Sequence, residues 1–284
     1  MKKNILNSII IIMLLPIGLI AQTKVSELAK NFGSNAAVGK YINTRGVKLY
    51  YEIYGKGEPL LLIHGNGGSM RAFFFQIDFF AKKYKVIAVD SRAQGKSVDT
   101  SSVLNYEMMA DDFSALLDTL KIDSVNVIGW SDGGINGLLL AIRHPKKVKK
   151  LAISGANLVP DASVFSPRGN LLMDSDLAKQ RSLKQDAQTR NAIKLIQMMK
   201  VEPNIALSDL QKIKCPVLVI GGDNDLVKAS HTLQIFENIP KAYLWILPAA
   251  GHSPPIRHKE EFNAKVFEFF KTPFHTVLGD DWYK

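Results

Sequence analysis

Residues 125–134 read VNVIGWSDGG, and this stretch decides the fold. Its first half is rich in β-branched residues, as in a buried strand, and the apolar run at 135–142 predicts a buried helix behind it. Ser131 stands between the two, with a glycine two positions before it and another two positions after it. So tight a turn forces the serine into strained backbone geometry and lifts its side chain above the sheet edge. We therefore expect an exposed Ser131 hydroxyl at a helix N-terminus, where the helix dipole favours negative charge.

Apolar runs and helical patterns alternate along most of the chain. The apolar runs predict strands at 41–42, 47–54, 60–63, 86–89, 125–129, 151–154, 215–220 and 243–247. Apolar residues at helical spacing predict helices at 73–83, 106–120 and 262–270, with another near 232–237. Continuous apolar strands that alternate with helices are buried on both faces. The sequence therefore predicts a mostly parallel α/β sheet covered by helices on both sides.

Composition and pattern also predict the domain organisation. The 284-residue chain is 46% hydrophobic and 22% charged, which excludes a disordered chain, a collagen-like repeat and a polytopic membrane protein. Its single cysteine, Cys215, excludes an intramolecular disulfide and a cysteine-rich zinc site. The alternation is interrupted at 156–212, a polar segment with helical stripes that we interpret as an inserted helical cap. The predicted core is then 41–155 and 213–274, with a leader at 22–40 and a C-terminal tail at 275–284.

The first 21 residues have the pattern of a secretory signal peptide. Lys2 and Lys3 form a basic region, residues 5–20 are almost wholly apolar, and Ala21 is a small residue after which cleavage is expected. This pattern predicts an exported protein, periplasmic or secreted, that is not inserted in a membrane after cleavage. The alternative is an uncleaved segment that anchors the protein, although the apolar run is shorter than the ~20 residues that a helical span needs.

The formal net charge is +10 at pH 7, a balance that can indicate a nucleic-acid partner or an anionic surface. The lysines are scattered, however, apart from Lys146, Lys147, Lys149 and Lys150 behind the end of a predicted helix, where cations are favourable. Because no nucleic-acid motif accompanies this cluster, we expect a solvated surface and no nucleic-acid partner.

A glycine-rich loop, HGNGG at residues 64–68, follows the predicted strand at 60–63. Acyl transfer places negative charge on a carbonyl oxygen, so a serine nucleophile needs two backbone N–H donors beside it. We expect one donor from Asp132, directly after the serine, and the other from Asn66, in a loop whose glycines allow close approach. A phosphate-binding loop is the alternative, but no Gly-Lys-Ser/Thr sequence ends it. We interpret His64 as structural because it precedes the loop.

Two further strand ends offer the base and the acid that a serine nucleophile needs. A base must take the hydroxyl proton, and a carboxylate must orient that base and stabilise its charged form. His252, in a glycine-flanked loop after the last predicted strand, is the candidate base. The preceding strand ends in GDND at 222–225, so Asp223 and Asp225 are candidate acids. Because the ends of parallel strands share one sheet edge, both loops are expected near Ser131.

These motifs resemble those of the α/β-hydrolase family, from about residue 41 to residue 270. Ser131, Asp225 and His252 match the family's Ser…Asp…His order. Asp225 matches the acid better than Asp223, because the family usually has G-x-x-D at this strand end. The resemblance therefore assigns the acid to Asp225.

Three other stretches carry the same resemblance. His64-Gly65 matches the family's oxyanion loop, and the elbow GWSDGG is similar to that of the biphenyl-hydrolase-like serine hydrolases. DSRAQGKS at 90–97 resembles the family's D-x-R-G-x-G-x-S loop, with Ala93 where glycine is usual. The departure at Ala93 concerns the geometry of this loop and not the three residues of the predicted triad.

The resemblance implies an α/β-hydrolase fold with a small helical cap, and a serine hydrolase that needs no metal and no organic cofactor. The expected reaction is hydrolysis of a small-molecule ester through an acyl-enzyme at Ser131, with amide, lactone or carbon–carbon bonds as alternatives. Ser131 excludes the family's epoxide hydrolases and haloalkane dehalogenases, whose nucleophile is an aspartate. The alternative function is a ligand-binding or sensor member of the fold with little turnover.

Trp130 and Asp132, on either side of the serine, are candidate substrate-binding residues. A carboxylate beside the reacting carbonyl would oppose the developing negative charge by about 1 kcal/mol at 4 Å in water, and by more when desolvated. In one interpretation Asp132 points away and hydrogen-bonds to backbone or to the Arg92 loop. In the other it accepts the ammonium group of an amino-acid ester, which the resemblance of the elbow favours.

Overall fold

The computed structural model describes residues 31–276 and 279. The predicted signal peptide at 1–21 lies outside the described residues. Within the described part, no helix is both long enough and apolar enough to cross a membrane.

The described residues form one mixed sheet with the strand order β1-β2-β4-β3-β6-β7-β8-β9, and β5 pairs with β2. Its strands are β1 (Lys40–Thr44), β2 (Val47–Tyr54), β3 (Glu58–Ile63), β4 (Tyr84–Val89), β5 (Val98–Asp99), β6 (Val125–Trp130), β7 (Val148–Ser154), β8 (Val217–Gly222) and β9 (Ala242–Leu247). Five neighbouring pairs are parallel, namely β4-β3, β3-β6, β6-β7, β7-β8 and β8-β9. The strands β1, β4 and β5 each run antiparallel to β2. The carboxyl ends of β3, β6, β8 and β9 therefore share one edge.

Helices lie between most of these strands. They are α1 (Phe74–Phe80), α2 (Tyr106–Thr119), α3 (Asp132–Arg143), α4 (Pro167–Ser182), α5 (Ala187–Met199), α6 (Leu207–Leu210), α7 (Ala229–Glu237), α8 (Pro254–Arg257) and α9 (Lys259–Lys271), with 3₁₀ turns at Met70–Phe73 and Pro145–Lys147. The Asn105 side chain caps α2 by accepting a hydrogen bond from the Met108 N–H, which satisfies one of the free donors of the first turn.

The sheet has a hydrophobic layer on each face. On β3, Leu61 and Ile63 pack in a cluster with α2 and α3, while Leu60 and Leu62 pack in a second cluster with α1 and α9. These four side chains are fully buried, and each such burial stabilises the fold by about 1.5–3 kcal/mol. The predicted α/β-hydrolase fold, a mostly parallel sheet with helices on both faces, is confirmed.

The segment predicted as a leader differs from expectation where the structure describes it. Phe32 is buried, and Lys40 already belongs to β1. The buried Glu52 carboxylate accepts hydrogen bonds from the Gly33 and Asn35 N–H groups at 2.7 and 2.9 Å. A buried carboxylate needs such donors, and these two residues supply them. The part of the leader from residue 31 onward therefore packs on the sheet.

The segment predicted as a cap contains α4, α5 and α6. Its α5 is joined to the core by the Asn191 side chain, which donates to the Ala93 carbonyl at 2.7 Å. The Tyr106 N–H at the start of α2 donates to the Glu202 side chain at 3.0 Å, and the Ser166 N–H donates to the Leu226 carbonyl at 2.8 Å. Specific hydrogen bonds such as these dock this insertion on the core.

Candidate active site

The turn between β6 and α3 has the strained geometry that the sequence predicts. Ser131 has φ +57° and ψ −122°, and its N–H donates to the Ser154 carbonyl of β7 at 2.8 Å. A Cβ on Gly133 would lie 1.8 Å from the Ile63 carbonyl oxygen, and one on Gly129 would lie 2.2 Å from the Gly133 carbonyl oxygen. Only glycine lets the chains pass this closely, so the two glycines make the turn possible.

The three residues of the predicted triad lie in one hydrogen-bonded series. His252 Nε2 is 2.9 Å from Ser131 Oγ, and His252 Nδ1 is 2.6 Å from Asp225 Oδ1. Ser131 follows β6, His252 follows β9 and Asp225 follows β8, and these strand ends lie on the shared edge of the sheet. Asp225 is fully buried, whereas 17% of the His252 side chain is exposed. The serine is therefore placed to lose a proton to a histidine that a buried carboxylate orients.

The electrostatics of Asp225 suit this arrangement. Burial by itself would raise the pKa of the carboxyl group, but the charge of His252 and hydrogen bonds from His252 and from the Val227 and Gly222 N–H groups outweigh it. The pKa of Asp225 is therefore lowered, and the group is a carboxylate at neutral pH.

The neighbouring acid, Asp223, has a different set of contacts. Its carboxylate oxygens accept hydrogen bonds from the Ala249 N–H at 2.9 Å and from the Ala250 N–H at 3.0 Å. It thus ties the loop after β8 to the loop that carries His252. The geometry favours Asp225 over Asp223 as the partner of the histidine.

Trp130, the last residue of β6, contacts the same histidine loop. Its indole Nε1–H donates to the His252 carbonyl at 2.6 Å. Trp130 was a candidate substrate-binding residue, but its indole N–H already has a hydrogen-bond partner within the protein. Trp130 therefore links the elbow directly to the backbone of His252.

The glycine-rich loop after β3 lies directly against the serine. A Cβ on Gly65 would be 3.1 Å from Ser131 Cβ and 3.7 Å from Ser131 Oγ. The Gly65 carbonyl accepts hydrogen bonds from the Gly68 N–H at 3.2 Å and from His64 Nδ1 at 2.7 Å. The C=O and N–H of a trans peptide point in opposite directions, so these bonds aim the Asn66 N–H away from His64.

His64 is held in one tautomer by its second nitrogen. The Ser91 N–H donates to His64 Nε2 at 3.0 Å, so the proton of the neutral ring must be on Nδ1. Burial lowers the pKa of His64 and outweighs the opposing charge of Asp90. The structure thus gives His64 a role in holding the loop and not in taking the serine proton.

The Asp132 side chain is turned into the protein, as one interpretation of the sequence expects, but its partners differ from the expected ones. It is 4% exposed, its Oδ2 accepts a hydrogen bond from the Asn66 side chain at 2.8 Å, and its carboxyl group also hydrogen-bonds with the Tyr106 hydroxyl. The expected bond to backbone or to the Arg92 loop is wrong, because Arg92 is saturated by Asp112 at 2.6 and 2.7 Å, by Asp99 and by a backbone carbonyl.

Burial is also the main influence on the Asp132 charge. It raises the pKa of this carboxyl group to about 6, against the opposing effects of the Asn66 and Tyr106 hydrogen bonds and of the His252 charge. Tyr106 was identified in the sequence only as part of an apolar helix face. Its phenol hydroxyl is a polar group on that face, and a buried hydroxyl usually has a hydrogen-bond partner, so it was the signal in the sequence for a second role.

The loop at 90–97 supports the glycine-rich loop from the other side. Ala93 has φ +63°, so the alanine adopts the left-handed conformation that favours glycine. Gln94, which the sequence did not single out, accepts a hydrogen bond from the Gly67 N–H at 2.7 Å. The departure from the family pattern at Ala93 thus leaves the loop able to make this contact.

Among residues 31–276 and 279, no group of three or more histidine, cysteine or carboxylate side chains is arranged to hold a metal ion. Independence from metals and organic cofactors stays a prediction.

Comparison with known proteins places this geometry in a family. Residues 58–181 match the family model described as the alpha/beta hydrolase fold. The chain is 27% identical to the serine hydrolase BPHL of Mus musculus over 265 residues, which are 87% of this chain and 90% of that protein. It is 24% identical to a 2-hydroxy-6-oxo-6-(2'-aminophenyl)hexa-2,4-dienoic acid hydrolase of Metapseudomonas resinovorans, over 86% of this chain and 94% of that protein.

A solved structure supports the same fold. The enol-lactonase from Burkholderia xenovorans LB400 superposes with a TM-score of 0.69 at 23% identity, covering 82% of this chain and all of that one. The family model, the similarity to a biphenyl-hydrolase-like protein and the fold agree with the resemblance seen in the sequence. The chain has the α/β-hydrolase fold.

Proposed function

We propose that the protein is a serine hydrolase that cleaves a small-molecule carboxylic ester through an acyl-enzyme at Ser131. The observation that carries the proposal is the series from Ser131 Oγ through His252 to Asp225, with distances of 2.9 and 2.6 Å, at a strained strand-to-helix turn. A backbone conformation of this kind is unfavourable by about 1–3 kcal/mol and persists where it serves a function. The relationship to other hydrolases supports the general class of reaction.

In the proposed reaction, His252 Nε2 takes the proton of Ser131 Oγ as that oxygen attacks the ester carbonyl carbon. The carbonyl oxygen becomes negatively charged, and the N–H groups of Asn66 and Asp132 donate hydrogen bonds to it. The carbon–oxygen bond to the alcohol breaks, and His252 gives its proton to the leaving alkoxide. Water then attacks the acyl-enzyme with His252 as base, which releases the acid and restores Ser131.

The position of Asp132 supports its backbone in this role. It is the first residue of α3, so its N–H has no partner within the helix and lies at the positive end of the helix dipole. For Asn66, the support is the anchored Gly65 carbonyl, which sets the direction of the peptide N–H.

An ester is the favoured bond because its alkoxide leaves more easily than an amide nitrogen or a carbanion. Similar proteins with other activities, a dienoic acid hydrolase and an enol-lactonase, define the competing substrates for a test.

We further propose that the protein is exported, on the basis of the basic and then apolar N-terminus. N-terminal sequencing of the protein recovered outside the cytoplasm would show residue 22 first.

The decisive experiment measures turnover on activated esters with short, long and aromatic acyl groups, together with an amide, a lactone and a dienoic ketone. We expect multiple turnovers on at least one ester and labelling by a fluorophosphonate probe, and Ser131→Ala should lower kcat by about three orders of magnitude or more and abolish labelling. His252→Ala should have a similar effect, and the double variant should lose little more.

Two outcomes contradict this proposal. A single stalled acylation of Ser131 without turnover would favour a ligand-sensing protein. No turnover on any substrate, with Ser131 unreactive to the probe, would rule out a serine hydrolase.

A further inference from the structure

The two residues proposed as oxyanion donors are bonded to each other through their side chains. Asn66 Nδ2 donates to Asp132 Oδ2 at 2.8 Å, and this bond spans 66 positions of the sequence. It connects the glycine-rich loop after β3 to the first turn of α3. The backbone N–H groups of the same two residues would have to converge on one substrate oxygen, so their spacing must be fixed within a few tenths of an ångström.

We propose that Asp132 is a positioning residue, whose carboxylate fixes the spacing of the two oxyanion donors through its bond to the Asn66 side chain. This inference rests on the proposed serine hydrolase function and adds a role that neither the Ser131–His252–Asp225 series nor the backbone donors supply.

The surroundings of Asn66 leave this bond as the connection to α3. On one side the Gly65 carbonyl is held by His64 and Gly68, and on the other the Gly67 N–H is held by Gln94. These contacts set the shape of the loop and join it to residues 90–97. Gly65 packs against Ser131, and the Asn66–Asp132 hydrogen bond then fixes the distance of Asn66 itself from α3.

The surroundings of Asp132 hold its carboxylate in place. The Tyr106 hydroxyl donates to it from α2, and Tyr106 is itself 1% exposed at the start of that helix. With two donors and an exposure of 4%, the Asp132 side chain is turned into the protein. An ammonium group would have to reach a side chain that the protein encloses almost completely. The contacts therefore favour a positioning role over substrate binding.

The test is a double-mutant cycle in the full-length enzyme, with kcat and KM measured on a neutral ester and on an amino-acid ester of equal size. Asn66→Ala and Asp132→Ala each remove one end of the bond and keep both backbone N–H groups. Each should lower kcat about 10- to 100-fold on both esters and leave KM nearly unchanged. The double variant should be no slower than the slower single variant, because the two residues act through one bond.

Two further measurements separate positioning from a merely structural role. A boronic acid, which forms a tetrahedral adduct with Ser131 Oγ, should bind more weakly to each variant by the factor that kcat loses. Asp132→Asn should recover part of the loss, because its amide oxygen can still accept from Asn66. Asp118→Ala is the matched control. It removes an exposed carboxylate of α2 that forms an ion pair with Lys147, and it should leave kcat unchanged.

Several results would overturn the proposal. They are an unchanged kcat in both single variants, multiplicative losses in the double variant, or a loss confined to the KM of the amino-acid ester, which would indicate ammonium binding. If Asp132→Ala does not fold, Asn66→Ala still removes the bond and Asp132→Asn still keeps an acceptor for it, so Asn66→Ala should then lower kcat more than Asp132→Asn does. A wild-type enzyme without turnover would instead overturn the proposed function on which the inference rests.

Discussion

The backbone N–H of Ser91 donates a hydrogen bond to Nε2 of His64 across 3.0 Å. The bond requires an unprotonated Nε2, and the other nitrogen of the same ring contacts the Gly65 carbonyl at 2.7 Å. A neutral buried imidazole therefore connects the loop at 90–97 to the loop beside Ser131. Protonation of this ring would replace an acceptor with a donor opposite another donor.

This arrangement predicts a loss of stability in mild acid. The pKa of His64 is lowered by burial, so the unfolded chain binds a proton near pH 6.5 while the folded protein does not. The contribution of the neutral His64 ring to the free energy of unfolding should be complete above that pH and should fall as the pH drops below it. Urea denaturation at pH 8 and pH 5.5 should show this fall, and His64→Ala should show a smaller one, although it is less stable at pH 8 by about 2–4 kcal/mol. Equal pH dependence in both proteins would contradict the lowered pKa of His64.

Asp132 predicts the opposite sign of pH dependence. Its pKa is raised to about 6 in the folded protein, so the folded state holds this proton more tightly than the unfolded chain. The free energy of unfolding therefore falls as the pH rises to about 6 and Asp132 loses its proton. At pH 7 the full cost of burying the charged Asp132 carboxylate is present. Asp132→Asn should be more stable than the wild type at pH 7, by at most about 3 kcal/mol, with a smaller difference at pH 4.5.

Thermal unfolding of both proteins at the two pH values measures this effect. A variant less stable than the wild type at pH 7 would mean that the carboxylate is needed for folding.

The acids after β8 should differ in their effect on catalysis. Asp225→Asn removes the charge that holds His252 in its tautomer and should lower kcat by about four orders of magnitude. Asp223→Asn disturbs only the bonds to Ala249 and Ala250 and should lower kcat by less than about tenfold. Steady-state kinetics on one ester compares them, and the reverse order would assign the acid to Asp223.

Two glycines of α3 offer a matched pair for testing the elbow. In Gly133→Ala the new Cβ would lie 1.8 Å from the Ile63 carbonyl oxygen, a backbone atom that cannot move aside. In Gly137→Ala the nearest atom is the end of the Leu151 side chain, at 2.8 Å, which can rotate away. Chemical denaturation should show a loss of about 3 kcal/mol or more for the first and a much smaller one for the second. Similar losses would mean that the elbow relaxes around a side chain.

Features coded by neighbouring residues were predictable from the sequence. The elbow around Ser131 combines an apolar strand, a small-residue turn and an apolar helix, all within 20 residues, and β6 and α3 form where expected. Boundaries shift where the pattern is ambiguous. The helix expected at 73–83 begins as a 3₁₀ turn at Met70–Phe73 and ends at Phe80, because the aromatic run does not mark its own ends.

Contacts between distant segments were not predictable. The sequence placed Asp132 beside the serine but could not supply its partners, which come from a loop 66 residues earlier and from the first turn of α2. In the same way, Glu52 reads as one polar residue in a strand, and only the fold brings the Gly33 and Asn35 N–H groups to it. Single residues in patterns carry no information about the side chain that faces them.

The insertion between β7 and β8 supplies none of Ser131, Asp225 and His252, which all follow core strands, and hydrogen bonds at Asn191, Glu202 and Ser166 connect it to the core. The insertion and the reacting residues are therefore separate parts of the chain, so we expect that a graft from a relative can replace the insertion without moving the triad. Glu202 sets the condition for such a graft, because it binds the backbone of the residue whose hydroxyl holds Asp132. We expect a chimera that keeps this carboxylate to retain the position of Tyr106 and, with it, the surroundings of Asp132.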